Sequence, residues 1–348
     1  MARKEELVVG IDIGTYAVKV CQLQKTGERY RLLAVGSAMV PSDSVEDGVL
    51  HEPEAVGKVI AGLLKNLKIK SRKVGISISG YSVIVKKINL KTMDDEDFAK
   101  YINSEAEQYI PFDVEDVYLD FQRLPAKELG SDRDDIILVA AKKEVINEYV
   151  NMLGALKLHT LLVDVDAFSL NNIWSIGSRM NTNTALIDIG ASKMNINIVS
   201  EGISILSKDV GVGSEQLTNQ IAVALDVDYG EAEKIKVGVV SAPGHEEKIH
   251  DIFTRICTQW VLEIEKTMDL YHANNPKRPI QNIVLSGGGA KVHGLPEFIS
   301  QKTLLPTSLF DPFERIHIDE KKFDFEYLSS IGPEMAIAAG LAIRPAIL

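Results

Sequence analysis

Apolar and polar residues alternate in short runs at the start of the chain and change to a helical period further along. From Leu7 to Ala38 the runs fit three short strands joined by turns, one of them at Lys25-Thr26-Gly27-Glu28. Residues 36–50, with Pro41 and Gly48, read as a loop or irregular strand. Val56, Val59, Ile60, Leu63 and Leu64 then recur at helical spacing and predict a helix from Glu52 to Leu67. A strand from Lys73 to Ser79 completes the first half of an α/β domain. After Asn89 the chain turns acidic. Asp94 to Asp97 make a good helix start, and the helix is expected to run through Phe98, Tyr101, Ile102 and Ala106 to about Ile110, where Pro111 ends it. Strands at Val117–Leu124, Ile136–Ala141 and Thr160–Val165 follow, with a polar loop at Pro125, Gly130 and Ser131 and a helix at Lys142–Leu156.

A helix from Ala167 to Gly177 and a polar hinge from Arg179 to Thr184 lead into a second strand-rich region. Helices are expected at Ser214–Leu225, Glu231–Val237 and His245–Ala273. The stripe of the last one, from Ile249 through Trp260 to Tyr271, marks a core-facing side. A strand at Ile283–Leu285, a helix at Pro296–Lys302 and a strand at Thr307–Phe310 precede a small-residue helix, Gly332–Ala342, with Pro333 in its first turn.

Three glycine turns stand out on this pattern. In Val8-Val9-Gly10-Ile11-Asp12-Ile13-Gly14-Thr15-Tyr16-Ala17-Val18-Lys19, a buried strand delivers one carboxylate to a tight turn, and the chain returns as a second strand. Successive N–H groups in such a turn make a nest for anionic oxygens. Asp12 sits where a hydrated divalent cation would be, and Lys19 can reach back to a phosphate. About half a chain later, Ala185-Leu186-Ile187-Asp188-Ile189-Gly190-Ala191-Ser192 repeats the arrangement before the strand Met194–Val199. Two such units suggest a duplicated fold with a ligand between its halves. Ser286-Gly287-Gly288-Gly289-Ala290 follows the strand Ile283–Leu285 as a third turn.

These turns resemble the two phosphate loops and the adenosine loop of the actin, sugar-kinase and heat-shock-chaperone ATPases. The start of the chain and Glu105-Ala106-Glu107-Gln108-Tyr109-Ile110-Pro111-Phe112-Asp113 resemble the PilM family of type IV pilus assembly, over essentially the whole length. The resemblance implies a two-domain α/β, actin-like (ribonuclease H-like) fold with a small α+β insert in the first domain. It divides the chain into a first subdomain (1–86, 163–180 and 331–348), an inserted partner-binding subdomain (87–162), a second core subdomain (181–208 and 278–330) and a helical subdomain (209–277). It implies ATP and Mg²⁺ as cofactors. Asp12 and Asp188 would hold Mg²⁺ through water, and backbone amides at Gly14, Thr15, Tyr16, Gly190, Ala191 and Ser192, with Lys19, would hold the phosphates. Gly287, Gly288, Gly289 and Ala290 would let the adenosine approach the backbone. Glu233 and Lys236, one helical turn apart, would contact ribose and adenine.

For hydrolysis the superfamily places an acid or amide near the attacking water. Val163-Asp164-Val165-Asp166-Ala167 occupies that place, with Asp164 the nearer equivalent. The usual Glu-Pro is missing, so slow hydrolysis or none is expected. Tyr109, Pro111 and Phe112 fit either a core or the border of a groove for a partner peptide. The resemblance favours the groove, with the N-terminal segment of a PilN-like inner-membrane protein as its occupant and other inner-membrane platform and motor components as further partners. The alternative is an FtsA-like division or filament-forming actin, against which the expected lack of a terminal amphipathic helix speaks.

Composition narrows these readings. The 348-residue chain has a net charge of -11. That balance argues against a nucleic-acid surface, which needs Lys and Arg to neutralise phosphates. Two distant cysteines in apolar surroundings, Cys21 and Cys257, do not suggest a disulfide framework and favour a cytoplasmic address. With no run of apolar residues near transmembrane length, the expectation is a peripheral protein held at the inner membrane by its partner, without inserting itself.

Overall fold

The computed structural model describes residues 4–124, 132–176 and 182–346. The expected polar loop at Pro125, Gly130 and Ser131, the end of the expected helix at Gly177, the first half of the hinge from Arg179, and the two chain ends lie outside the described residues.

Two five-strand arrangements share one topology. In the first sheet, Val9–Ile13 pairs antiparallel with Ala17–Thr26, which pairs antiparallel with Arg29–Met39. On its other side Val9–Ile13 runs parallel to Lys73–Ile78, and that strand runs parallel to His159–Val165. In the second sheet, Thr184–Ile189 pairs antiparallel with Met194–Ser200, which pairs with Ile203–Val210. Thr184–Ile189 also runs parallel to Asn282–Ser286, and that strand to Thr307–Leu309. The same order in both sheets puts the two Asp-bearing strands at corresponding central positions. Helices cover both faces of the central strands, which is why Val9, Ile11, Ala185 and Ile187 are fully enclosed.

Each sheet has its own apolar core. Helix Pro53–Asn66 places Val56, Ile60 and Leu63 on the first sheet. Helix Lys143–Ala155 adds Tyr149 and Leu153 to that core. The long helix Glu246–Asn274 lays Ile256, Trp260, Ile264 and Tyr271 on the second sheet, together with residues of the helices Glu215–Leu225 and Tyr229–Lys236. Between the sheets, helix Asp166–Ser175 crosses the short helix Ala336–Ala342 at very close range. A β-carbon on Gly340 would stand 1.8 Å from the Ser169 carbonyl oxygen, so only glycine permits this crossing.

The insert is a three-stranded antiparallel sheet in the order Val83–Lys91, Arg133–Lys142, Val117–Arg123. Helix Asp95–Glu105 covers it with Phe98 and Ile102, both buried. The sheet begins at Val83 and ends at Lys142. Helix Lys143–Ala155 and strand His159–Val165, expected within residues 87–162 of the insert, pack instead with the first sheet, where a parallel neighbour completes the hydrogen bonding of Lys73–Ile78. The acidic helix also stops earlier than expected. A 3₁₀ turn at Ala106–Gln108 replaces its last turn.

Candidate functional site

The two Asp-bearing strands end in matching turns. The Gly14 N–H donates to the Ala17 carbonyl at 3.1 Å, and the Gly190 N–H donates to the Lys193 carbonyl at 2.8 Å. Asp12 lies across the strand pair from Lys19, whose ammonium approaches its carboxylate at 3.1 Å. Asp188 lies beside Ser286 on the neighbouring strand and accepts its hydroxyl hydrogen bond at 2.9 Å. The Thr15 hydroxyl donates to the Ser192 hydroxyl at 3.3 Å, so the turns touch across the two halves of the chain. The N–H groups of Thr15, Tyr16, Ala191 and Ser192 take no acceptor among the described residues. They are the free donors that a phosphate nest needs.

Both turns line one cavity of about 80 Å³, room for several waters. Asp12, Asp166, Asp188, Lys19 and Lys193 all face it. Burial raises the Asp12 carboxyl above its ordinary value against the pull of Lys19. Burial, and then the Asp12 charge, push Asp188 up to about 7. Burial pulls the Lys19 ammonium down, yet the Asp12 carboxylate raises it overall. Three carboxylates thus share two ammonium groups in a confined space. Among the described residues no three acids stand close enough to ligate a metal ion directly, so a divalent ion here would be held through its own waters.

Asp164 is not part of this cavity. Its carboxylate accepts from the Val165 N–H at 2.8 Å and lies 3.4 Å from the Arg344 guanidinium, on the side of the insert. Burial raises its carboxyl as well. Asp166 faces the cavity in its place, bonded by the Ser79 hydroxyl and 3.6 Å from the Lys193 ammonium. Strand alternation would put 164 and 166 on one face. The chain leaves the strand at Val165 and enters a helix at Asp166, so the period-two relation ends between them. Ser79 and Lys193 are further site residues that the sequence pattern did not single out. Each adjoins a recognisable turn, but their juxtaposition with Asp166 comes only from folding.

The residues expected on the adenosine side lie on the half of the second sheet. Glu233 and Lys236 lie on one face of their helix, 2.7 Å apart, and Lys236 is almost fully buried. Lys236 also reaches the Ser214 hydroxyl at 3.3 Å, and the Ser214 N–H donates to Gly190, which ties this helix to the second phosphate turn. Gly287 has φ +85°, and a β-carbon there would stand 2.4 Å from the Ile189 carbonyl oxygen. The third turn therefore lies directly against the second phosphate strand. Gly288 and Gly289 continue that turn, and Ala290 is buried beneath it. Lys291 pairs with Glu334 at 3.0 Å on the same side. The Tyr16 and Tyr229 rings meet across the mouth at 6.1 Å between centroids.

A second recess lies under the insert sheet. Two connected cavities of about 320 and 360 Å³ share Asp120, Val139, Asp164 and Phe168. Tyr109, Pro111 and Phe112 do not line them. Tyr109 and Phe112 pack on the insert's own core, the Tyr109 hydroxyl meeting that of Tyr101 at 3.2 Å and the Phe112 ring receiving Lys142 at 5.1 Å. Pro111 is exposed at the same end. Among the described residues no helix is long and apolar enough to cross a membrane.

Known proteins carry the same architecture. A chain of a solved "PilM-PilN type IV pilus biogenesis complex" superposes with a TM-score of 0.85 at 24% identity, covering 98% of this chain and 99% of that one. MreB5 of Spiroplasma citri, solved with AMPPNP, superposes with a TM-score of 0.53 at 13% identity over 99% of this chain and 96% of that one. These likenesses establish an actin-like fold. The cell division protein FtsA of Pseudomonas aeruginosa is 23% identical over 354 aligned residues, 88% of this chain and 84% of that protein. Residues 10–346 match the family described as type IV pilus assembly protein PilM, and the chain belongs to that family.

Proposed function

We propose that this chain is an ATP-binding scaffold of pilus assembly. It holds Mg-ATP between its two halves and the N-terminal segment of a PilN-like inner-membrane protein in the recess under the insert. The observation that carries the nucleotide reading is the convergence of Asp12 and Asp188, each at a nest-forming turn of a duplicated sheet, on one cavity. Both carboxylates would hold Mg²⁺ through retained waters, and the ion would neutralise the terminal phosphates. Free N–H groups on the two turns bind phosphate oxygens. Glu233, Lys236 and the Gly287–Ala290 turn face the nucleoside. Asp166 also faces the cavity, but its carboxylate is already engaged by the Ser79 hydroxyl. It is poorly free to orient water, and turnover is expected to be slow.

The recess supports the partner reading. Phe121, Ile137, Val139 and Phe168 give it apolar walls, and Asp120, Asp164 and Arg344 give it polar fixed points. A short peptide with alternating apolar and charged side chains suits such a lining. The partner would tether the chain at the cytoplasmic face of the inner membrane, in reach of the other platform and motor components.

Calorimetric titration tests both parts. Mg-AMPPNP should bind the wild type and lose at least tenfold in affinity with Asp12→Ala. A synthetic N-terminal peptide of the PilN-like protein should bind the wild type but not Phe168→Glu. Absence of nucleotide binding to the wild type would sink the first part, and unchanged peptide binding by Phe168→Glu the second. The likeness to FtsA favours a filament as the other reading, and sedimentation of most of the chain with Mg-ATP would shift the assignment to it.

A further inference from the structure

Ser79 and Gly80 form a junction between all three parts of the molecule. They end the first-sheet strand Lys73–Ile78 and lead, through a 3₁₀ turn at Gly80–Ser82, into the insert strand Val83–Lys91. The Ser79 hydroxyl donates to Asp166 and accepts from Lys193 of the second half. The Gly80 N–H donates to the Asp209 carboxylate at 2.6 Å, and Asp209 is fixed in turn by the Asn195 amide at 2.8 Å. Lys193 follows Ser192 directly, at the end of the second phosphate turn. Its ammonium lies 3.6 Å from Asp166 and lines the nucleotide cavity. One side chain therefore touches the phosphate space and the root of the insert at once.

We propose that Lys193 is the residue that senses the terminal phosphate, exchanging Ser79 and Asp166 for it when a triphosphate binds. This rests on the nucleotide reading given above. A γ-phosphate carries more charge than one carboxylate and presents several acceptor oxygens, so it competes well for the single ammonium. Lys193 and Asp166 line the cavity between the two glycine turns, whereas Glu233 and Lys236, expected on the adenosine side, do not. That space is where a third phosphate would sit and a diphosphate would fall short. Release of Ser79 leaves the junction tied to the second half by Asp209, with one anchor where there were two. The strand Val83–Lys91 then responds to which nucleotide is present.

The test compares Mg-ADP and Mg-AMPPNP on the full chain, reading affinity by calorimetry and the backbone of residues 79–91 by amide hydrogen exchange. With the wild type, AMPPNP should accelerate exchange in this segment and ADP should not. Lys193→Met should weaken AMPPNP about tenfold, as expected for a lost charge-assisted contact, and leave ADP within about twofold. Ser79→Ala, which keeps the cation but removes the relay, should make the segment exchange fast in every state, with ADP and AMPPNP alike. Equal losses for ADP and AMPPNP in Lys193→Met would overturn the sensing role. Wild-type exchange that is indifferent to AMPPNP would overturn the relay. If the wild type bound neither nucleotide, the nucleotide reading itself would fall, an outcome distinct from both.

Discussion

At the scale of single residues, Asp188 makes the cost of the site measurable. Its carboxyl is held near 7, far above the 3.8 of an exposed carboxyl, by burial and by the Asp12 charge. Between those values the folded chain keeps a proton that the unfolded chain has released. Stability of the ligand-free protein therefore falls as pH rises through this window and levels off above about 7. Asp188→Asn removes this residue's share of the dependence, while the raised Asp12 and Asp164 carboxyls keep theirs. At pH 8 its Tm should exceed that of the wild type by roughly 2–4 °C, and the gain should vanish as the pH approaches 4. Differential scanning calorimetry without ligand checks it, and a variant less stable than wild type at pH 8 would contradict it. The same variant should bind Mg-AMPPNP at least tenfold more weakly. Asp12 and Asp188 were legible in the sequence because the pattern of strand, Asp and glycine turn is local. Asp166 was not. The chain enters a helix at that residue, and strand periodicity no longer says which acid reaches the cleft. Lys193 is one step past a readable turn, and its partners lie 27 and 114 positions away.

Among the elements, the small-residue helix Ala336–Ala342 depends most on its sequence. It crosses helix Asp166–Ser175 so closely that Gly340→Val cannot be accommodated without moving one of them, since its β-carbon alone would stand 1.8 Å from Ser169 O. The expected cost is about 1–3 kcal/mol from overpacking. It should appear as a lower urea midpoint together with weaker nucleotide binding, because Ile337 of this helix lines the phosphate cavity. Unchanged stability would mean that the crossing is loose. This helix was foreseen from its run of small residues. The insert strand Val83–Lys91 was missed for the opposite reason. Lys86, Lys87 and Asn89 interrupt its apolar pattern, and only Ile88 and Leu90 are buried. Its existence is decided by pairing with Arg133–Lys142, more than 40 residues later. The helix Lys143–Ala155 and the strand His159–Val165 were found as elements. Only tertiary pairing shows that they belong to the first sheet.

For the whole molecule, a buried apolar seam of Leu170, Trp174, Leu186, Val199 and Val284 joins the halves, and three further contacts between them sit at the proposed ligand. Thr15 meets Ser192, Lys193 meets Asp166, and Tyr16 meets Tyr229. Of these, the aromatic pair lies at the mouth, with Tyr16 41% exposed and so able to swing aside. Opening the mouth to release nucleotide breaks the ring contact, while the backbone donors of the phosphate turns stay where they are. An aromatic pair contributes about 0.5–1.5 kcal/mol beyond its buried area. Tyr16→Ala should therefore raise the dissociation rate of a fluorescent ADP analogue by about two- to tenfold, with little change in Tm, since the side chain lies outside the cores of both sheets. Stopped-flow displacement measures this directly. If the off-rate rises and the on-rate stays constant, the pair acts as a clasp on the bound state. If both rise together, the rings obstruct entry as much as exit, and the mouth is a barrier in the free protein as well. An unchanged off-rate would assign closure to Thr15, Ser192 and Lys193 instead, and would make the Lys193 contact the main link between nucleotide and domain closure.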